Sequence, residues 1–256
     1  MLEIICCFKW VVDEAYLKPD SAGKIDLEMA EYKISNYDRN AIEEAVRLKE
    51  QYGGNVTAIT VAAPDATKGI KNALSRGPDK AYFINGEGFD HLEPAQYAII
   101  LEEVIAKEIP YDLIICGEGS SDLYAQQVGP RLAERLGIPF IGSVQKVQIE
   151  NKQITVERKT DEGVEVLTAP LPVLIAVVPD INIPRVPGVR DTLAASKKPV
   201  IEIAAGDLGK DYAPCLLQEE LKVSTMERKC TYFGSEQEDI KAFVEALRKT
   251  GLLDGR

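Results

Sequence analysis

Three short and nearly uninterrupted apolar runs, Leu2 to Phe8, Asn55 to Val61 and Leu113 to Cys116, are separated by segments whose apolar residues recur every three or four positions. Runs without alternation suit strands covered on both faces, the condition of a parallel sheet, and the intervening period is that of helices. Asp38 to Gln51 sets Ala41, Ile42, Ala45, Val46 and Leu48 on one stripe, with Asp38 a candidate N-cap, Tyr37 a staple onto Ile42, and Gly53-Gly54 the stop. Further helices are expected from Thr67 to Ser75, Pro94 to Lys107 and Asp122 to Leu136, each flanked by Gly or Pro. Strands alternating with helices predict an α/β fold built on a doubly wound, mostly parallel sheet. Its ligand crevice should lie beyond the carboxyl ends of the strands.

After Gly137 the period changes. Val147 and Ile149, Ile154 and Val156, and Val164 and Val166 alternate with polar residues, and Glu150 to Gln153 and Asp161 to Gly163 supply turns, so an antiparallel β-meander is expected. Pro172 to Val178 returns to a buried strand before a Pro-rich connection and Lys197-Lys198. From Ala204 the chain reads as short helical stretches, the last from Ser235 to Lys249, joined by polar linkers with little core of their own. The 256 residues thus divide into an α/β domain over 1–203 and a C-terminal arm over 204–256 that packs on a partner.

Acidic residues outnumber basic ones 41 to 30, which opposes binding to a nucleic-acid backbone. The first residues carry no basic n-region, and no apolar run reaches the length of a membrane span. A cytoplasmic protein without membrane insertion is expected. Of five cysteines, Cys6, Cys7 and Cys116 lie in apolar runs as reduced thiols would, and none has metal-ligand spacing. His91 is the only histidine and sits in a polar loop, and there is no Gly-x-x-x-x-Gly-Lys-Ser/Thr segment. A histidine-based triad, a histidine metal site and phosphoryl transfer through a P-loop are all disfavoured, leaving no catalytic residue to nominate.

The stretch from Leu113 to Gly129 runs from a strand through a small, hydroxyl-rich turn toward a helix. Gly117 and Gly119 would let a ligand approach the backbone, Ser120 and Ser121 offer hydroxyls, and a helix starting near Asp122 would present free N–H groups to a phosphate. An ordinary βα turn with Asp122 as N-cap explains the same residues. The third glycine of a dinucleotide fingerprint is missing. Trp10, just after the first strand, reads equally as crevice wall or core filler. Lys197-Lys198 can be only a solvated stretch.

Four segments, in order, resemble the β subunit of electron transfer flavoproteins, the FixA family, across about the first 200 residues. They are Cys6-Cys7-Phe8-Lys9-Trp10-Val11-Val12-Asp13, Lys33 to Ala45 with its Ser35-Asn36-Tyr37-Asp38 core, Gly117 to Gly129, and Asn182-Ile183-Pro184-Arg185 running to Ala195-Ser196-Lys197-Lys198-Pro199. The resemblance implies an adenine-nucleotide-binding fold and a carrier subunit that does no bond chemistry itself. It implies a heterodimer with an α subunit that holds most of an FAD, accepts electrons from a flavin-containing dehydrogenase of the acyl-CoA type and passes them on. AMP would fill the β crevice as a structural ligand, with a second FAD there in electron-bifurcating relatives.

Carried over position by position, the nucleotide contacts would be Cys7, Ser35, Ala62, Gly117, Glu118, Gly119, Ser120, Ser121, Asp122, Leu123, Tyr124, Ala125, Gln126, Gln127 and Val128. Tyr16 and Tyr37 would lie near the flavin, and Arg185 and Val189 would meet a partner, Val189 as the apolar anchor of an exposed loop. Departures from the family pattern are Ser35 for Asn, Glu118 for Lys beside a phosphate, Tyr124 for an acidic residue and Glu14 for an aromatic. From the residues alone, an adenine-nucleotide hydrolase or ligase and a nucleotide-binding sensor remain the rival readings.

Overall fold

The computed structural model describes all residues except 22, 26, 28, 29, 211, 213, 214, 217, 218, 220–222, 224–229 and 252–256. In chain order the first half contains β1 (Leu2–Cys7), β2 (Trp10–Val12), β3 (Tyr32–Ile34), α1 (Asn36–Tyr52), β4 (Gly54–Ala62), α2 (Thr67–Ser75), β5 (Lys80–Asn85), α3 (Pro94–Glu108) and β6 (Leu113–Gly117). The second half contains α4 (Val128–Leu136), β7 (Phe140–Glu150), β8 (Gln153–Thr160), β9 (Gly163–Pro170), β10 (Val173–Val177), α5 (Val189–Ala195), β11 (Val200–Ala204) and α6 (Gln237–Lys249).

Nine strands form one sheet in the order β11-β5-β4-β1-β6-β10-β7-β8-β9, while β2 and β3 make a separate antiparallel pair. Neighbours from β11 to β7 are parallel, and β7, β8 and β9 are antiparallel, so the α/β sheet and its meander match the fold expected from the sequence. The central strands explain why their sequences show no alternation. Ile4 and Cys6 of β1 enter the core beneath α1 and α2, whereas Ile5 and Cys7 enter the one beneath α3 and α4. Each such buried aliphatic side chain contributes roughly 1.5–3 kcal/mol, so most of the stability sits where the sheet is covered twice.

Local signals were overruled in three places. The helix after β6 begins at Val128, not near Asp122. Residues Tyr124 and Gln126 have φ of 47° and 56°, left-handed values that interrupt a helical path. At α1 the N-cap is Ser35, so Asp38 lies inside the first turn and its carboxylate reaches other strands. Tyr37 therefore lies inside the first turn of α1 and not ahead of its N-cap, where a staple onto Ile42 would need it, and its ring meets that of Tyr124 at a tilt of 41° with centroids 5.1 Å apart. Trp10 packs over α2 at Gly69 as core filler. Lys198 is no solvated lysine, since its ammonium donates to the carbonyls of Leu74 and Pro78 at the end of α2, at 2.9 and 2.6 Å.

The chain divides into two compact units, Met1–Leu221 and Lys222–Arg256. Within the first, Ala205, Leu208 and Tyr212 pack on the α3 side of the core, and Glu103 accepts from Gly209 N–H and Tyr212 hydroxyl. Several of the short helical stretches expected after Ala204 lie outside the described residues. In the second unit α6 closely matches its expected span and has no buried residue. Its Phe243 meets Phe233 edge-on at 5.4 Å.

Candidate functional site

β1 is the topological switch point of the sheet: the chain first adds β4 and β5 on one side of it, then β6 and β10 on the other. Beyond the carboxyl ends of β1 and β6 a cleft opens with a cavity of about 110 Å³. By the same measure one water needs roughly 10–15 Å³, so the space admits a group much larger than a water. One wall is apolar, made by Ile59 and Val61 of β4 with Leu92, Pro94, Tyr97 and Leu101 in and before α3. The opposite wall is the loop from Gly117 to Gln127 leading into α4.

This loop is held from α1. The Asp38 carboxylate accepts from the N–H of Lys9 at 2.8 Å and of Gly117 at 3.2 Å, tying together the ends of β1 and β6. Ser35 Oγ accepts from Ser121 N–H at 3.2 Å. Burial pushes the Asp38 carboxyl up to about 7, against the pull of its N–H donors. The two glycines serve packing here and do not simply clear a path for a ligand. A Cβ on Gly117 would stand 2.6 Å from Asp38 Oδ1, and one on Gly119 would stand 2.6 Å from the Tyr124 ring.

Glu118, the departure that brings a carboxylate beside the cradle, is occupied on both oxygens. Tyr124 hydroxyl donates to one at 2.8 Å and Ser143 hydroxyl to the other at 2.9 Å. Burial, and next the bond to Glu118, push the Tyr124 phenol up to about 12. Meanwhile the N–H groups of Gly119 and Ser120 meet no protein acceptor among the described residues. Tyr124 and Gln126 turn left-handed, and the Tyr124 N–H donates to the Ser120 carbonyl at 3.0 Å, which folds the loop back on itself beside those two N–H groups. Such a surface suits an anionic oxygen through backbone donors.

Of the candidate contacts, Cys7, Gly117, Glu118, Gly119, Ser120, Leu123, Ala125, Gln126, Gln127 and Val128 line the cleft. Ser35, Ser121, Asp122 and Tyr124 stand behind it as supports, through the bonds above and the Lys9–Asp122 ion pair at 2.6 Å. Ala62 is buried at the end of β4 and outside the lining. Burial pushes the Cys7 and Cys116 thiols well above the ordinary thiol range, which makes them neutral wall. Tyr16, in a one-turn helix after β2, hydrogen-bonds Glu31 and is outside the lining. Sequence reasoning missed Lys9, Asp38, Thr60 and the α3 wall. Thr60 is buried with its hydroxyl unpartnered. The available signal for Lys9 was a lone cation where a fully buried strand ends.

Arg185 and Val189 lie on a second feature, the connection from Asn182 into α5. Arg185 donates to Glu43 and Glu50 of α1 at 2.8 Å each, and its backbone N–H also reaches Glu43. These carboxylates hold its guanidinium above its ordinary value. Asn182 and Asn40 exchange side-chain bonds with each other's backbone carbonyls. On this braced segment Ile183, Val186, Val189 and Leu193 are 84%, 89%, 79% and 65% exposed.

Among the described residues no three His, Cys, Asp or Glu are grouped to hold a metal, and no helix is long and apolar enough to cross a membrane. His91 is exposed beside Asp90, 3.3 Å away. The family model for the electron transfer flavoprotein domain matches residues 24–208, well over half of the chain, and the chain belongs to the electron transfer flavoprotein family.

Proposed function

We propose that this chain is the β subunit of a heterodimeric electron transfer flavoprotein, of the FixA type, acting in the cytoplasm as a carrier and not as an enzyme in its own right. Its α subunit holds most of the FAD. The pair takes electrons from a flavin-containing dehydrogenase and passes them on. The bound flavin supplies the redox chemistry, and this chain supplies binding and position. The observation that carries the reading is a loop at the sheet's switch point whose Gly119 and Ser120 N–H groups meet no acceptor among the described residues, in a chain of this family.

AMP is the nucleotide that these residues favour for the cleft. Gly119 and Ser120 N–H would receive the phosphate, and the apolar wall of Leu92, Tyr97 and Val61 would receive the adenine. A second FAD, as in a bifurcating subunit, would spread its pyrophosphate charge over two phosphorus centres, whereas the described lining offers a single cation, Lys9, which matches a phosphomonoester whose charge sits on one group.

The arm from residue 204 onward is proposed to clasp the α subunit. Because Ala205, Leu208 and Tyr212 pack on the first unit, the informative cut falls after Leu221. Coexpressed with its α subunit, the full chain should copurify one to one as a yellow complex, and the chain lacking 222–256 should not. Stoichiometric, flavin-retaining copurification of the shortened chain would remove the clasp. A full chain that purifies alone, colourless and nucleotide-bound, would favour a sensor.

A further inference from the structure

Among the described residues Lys9 is the only Lys, Arg or His lining the cleft. Its side chain leaves the end of β1 and is 24% exposed, with the ammonium 2.6 Å from Asp122 Oδ2 and 5.7 Å from the centre of the Tyr97 ring. It therefore spans from the loop that carries the free N–H groups to the apolar wall, where phosphate and base would lie. The bond from its N–H to Asp38 fixes where the side chain starts. Asp122 is anchored independently, because its Oδ1 accepts from Leu123 N–H at 2.8 Å. Burial raises the Asp122 carboxyl, but Lys9 beside it holds it below the usual carboxylate range.

We infer that Lys9 is the residue that makes the cleft select a ligand carrying one phosphomonoester, and that Asp122 holds the ammonium in place until the phosphate takes over its contact. This rests on the nucleotide reading above and deepens it. An ammonium is a compact charge with rotatable donors, so it can pass from a carboxylate to a phosphate oxygen without moving its stem. The exchange keeps the cation paired throughout and leaves Asp122 on its Leu123 anchor. A ligand without a phosphate gains nothing from the exchange. One with two adjoining phosphates would find no second cation among the described residues of the lining.

Calorimetric titration of the full-length chain with AMP and with adenosine tests this directly. Lys9→Gln should weaken AMP binding by about tenfold to a hundredfold and adenosine binding by less than about threefold. Lys9→Arg should recover most of the preference for AMP. Asp122→Asn, which removes the competing carboxylate, should tighten AMP severalfold and leave adenosine unchanged. Equal losses of AMP and adenosine in Lys9→Gln would reduce Lys9 to a packing role and overturn the inference while the nucleotide reading stands. Failure of the unmodified chain to bind either compound would overturn both.

Discussion

The first turn of α1 and its later turns each brace a loop by polar side chains that reach backbone groups, yet the two loops present opposite surfaces. At the first turn, Ser35 and Asp38 hold Gly117 to Ser121, which is recessed, small-residued and rich in N–H donors. Further along, Asn40, Glu43 and Glu50 hold Asn182 to Arg185, and Ile183 within that segment and Val186, Val189 and Leu193 after it project into solvent. A satisfied polar network rigidifies what it touches, so one helix can fix both a recessed loop and a protruding apolar row. What each loop can recognise follows from what is left over once the bracing is complete: backbone donors in the first, aliphatic side chains in the second.

The largest effect is expected at Asp38. Asp38→Ala would leave two partly buried N–H groups unpaired where β1 and β6 end, at a cost of about 1–3 kcal/mol, together with loss of AMP binding. The charge on Asp38 adds a pH signature. Its folded value of about 7 lies above the unfolded 3.8, so between these values the folded state holds a proton that the unfolded chain has released. Its contribution to stability should therefore fall as pH rises from about 4 to about 7, by up to about 1.4 kcal/mol per unit, and then level off. Urea unfolding of the native chain and Asp38→Asn at pH 5 and pH 8 reads this as a difference that favours the native chain at pH 5. A difference independent of pH would mean that the buried carboxyl is not held neutral.

Arg185→Ala probes the other end, with a smaller effect. Glu43 keeps Arg47 as a partner and Arg185 is partly solvent-screened, so the loss should be about 1–2 kcal/mol in urea unfolding. AMP affinity should be unchanged, and a drop there would show that the two loops are not independently braced. Smallest in stability is Val189→Ala, within about 0.5 kcal/mol, as expected for an exposed side chain. Its expected effect is on function: slower reduction of the complex by its dehydrogenase, measured by flavin absorbance. Unchanged reduction would leave Val189 as a solvent-facing residue with no docking role.

The parts of the fold legible in the sequence are those whose environment is set locally. β1, β4, β6 and β10 read as apolar runs because both faces are covered, and α2 was bounded correctly because its breakers lie beside it. β5 and the edge strand β11 were not anticipated, and β11 is half-exposed after Pro199 with little pattern to read. The loop after β6 misled for a physical reason. Asp122 resembles an N-cap, but its carboxylate pairs with Lys9, 113 residues earlier, and the backbone at Tyr124 and Gln126 turns left-handed. Asp38 was misread in the same way, its acceptors taken by Lys9 and Gly117. Both errors fall at the cleft, where long-range polar contacts override local capping rules.

The most direct test of the account is the nucleotide content of the purified heterodimer after denaturation, separated and quantified against protein. The account predicts one FAD and one AMP per dimer. Two FAD and no AMP would contradict it and mark the chain as the bifurcating kind of subunit.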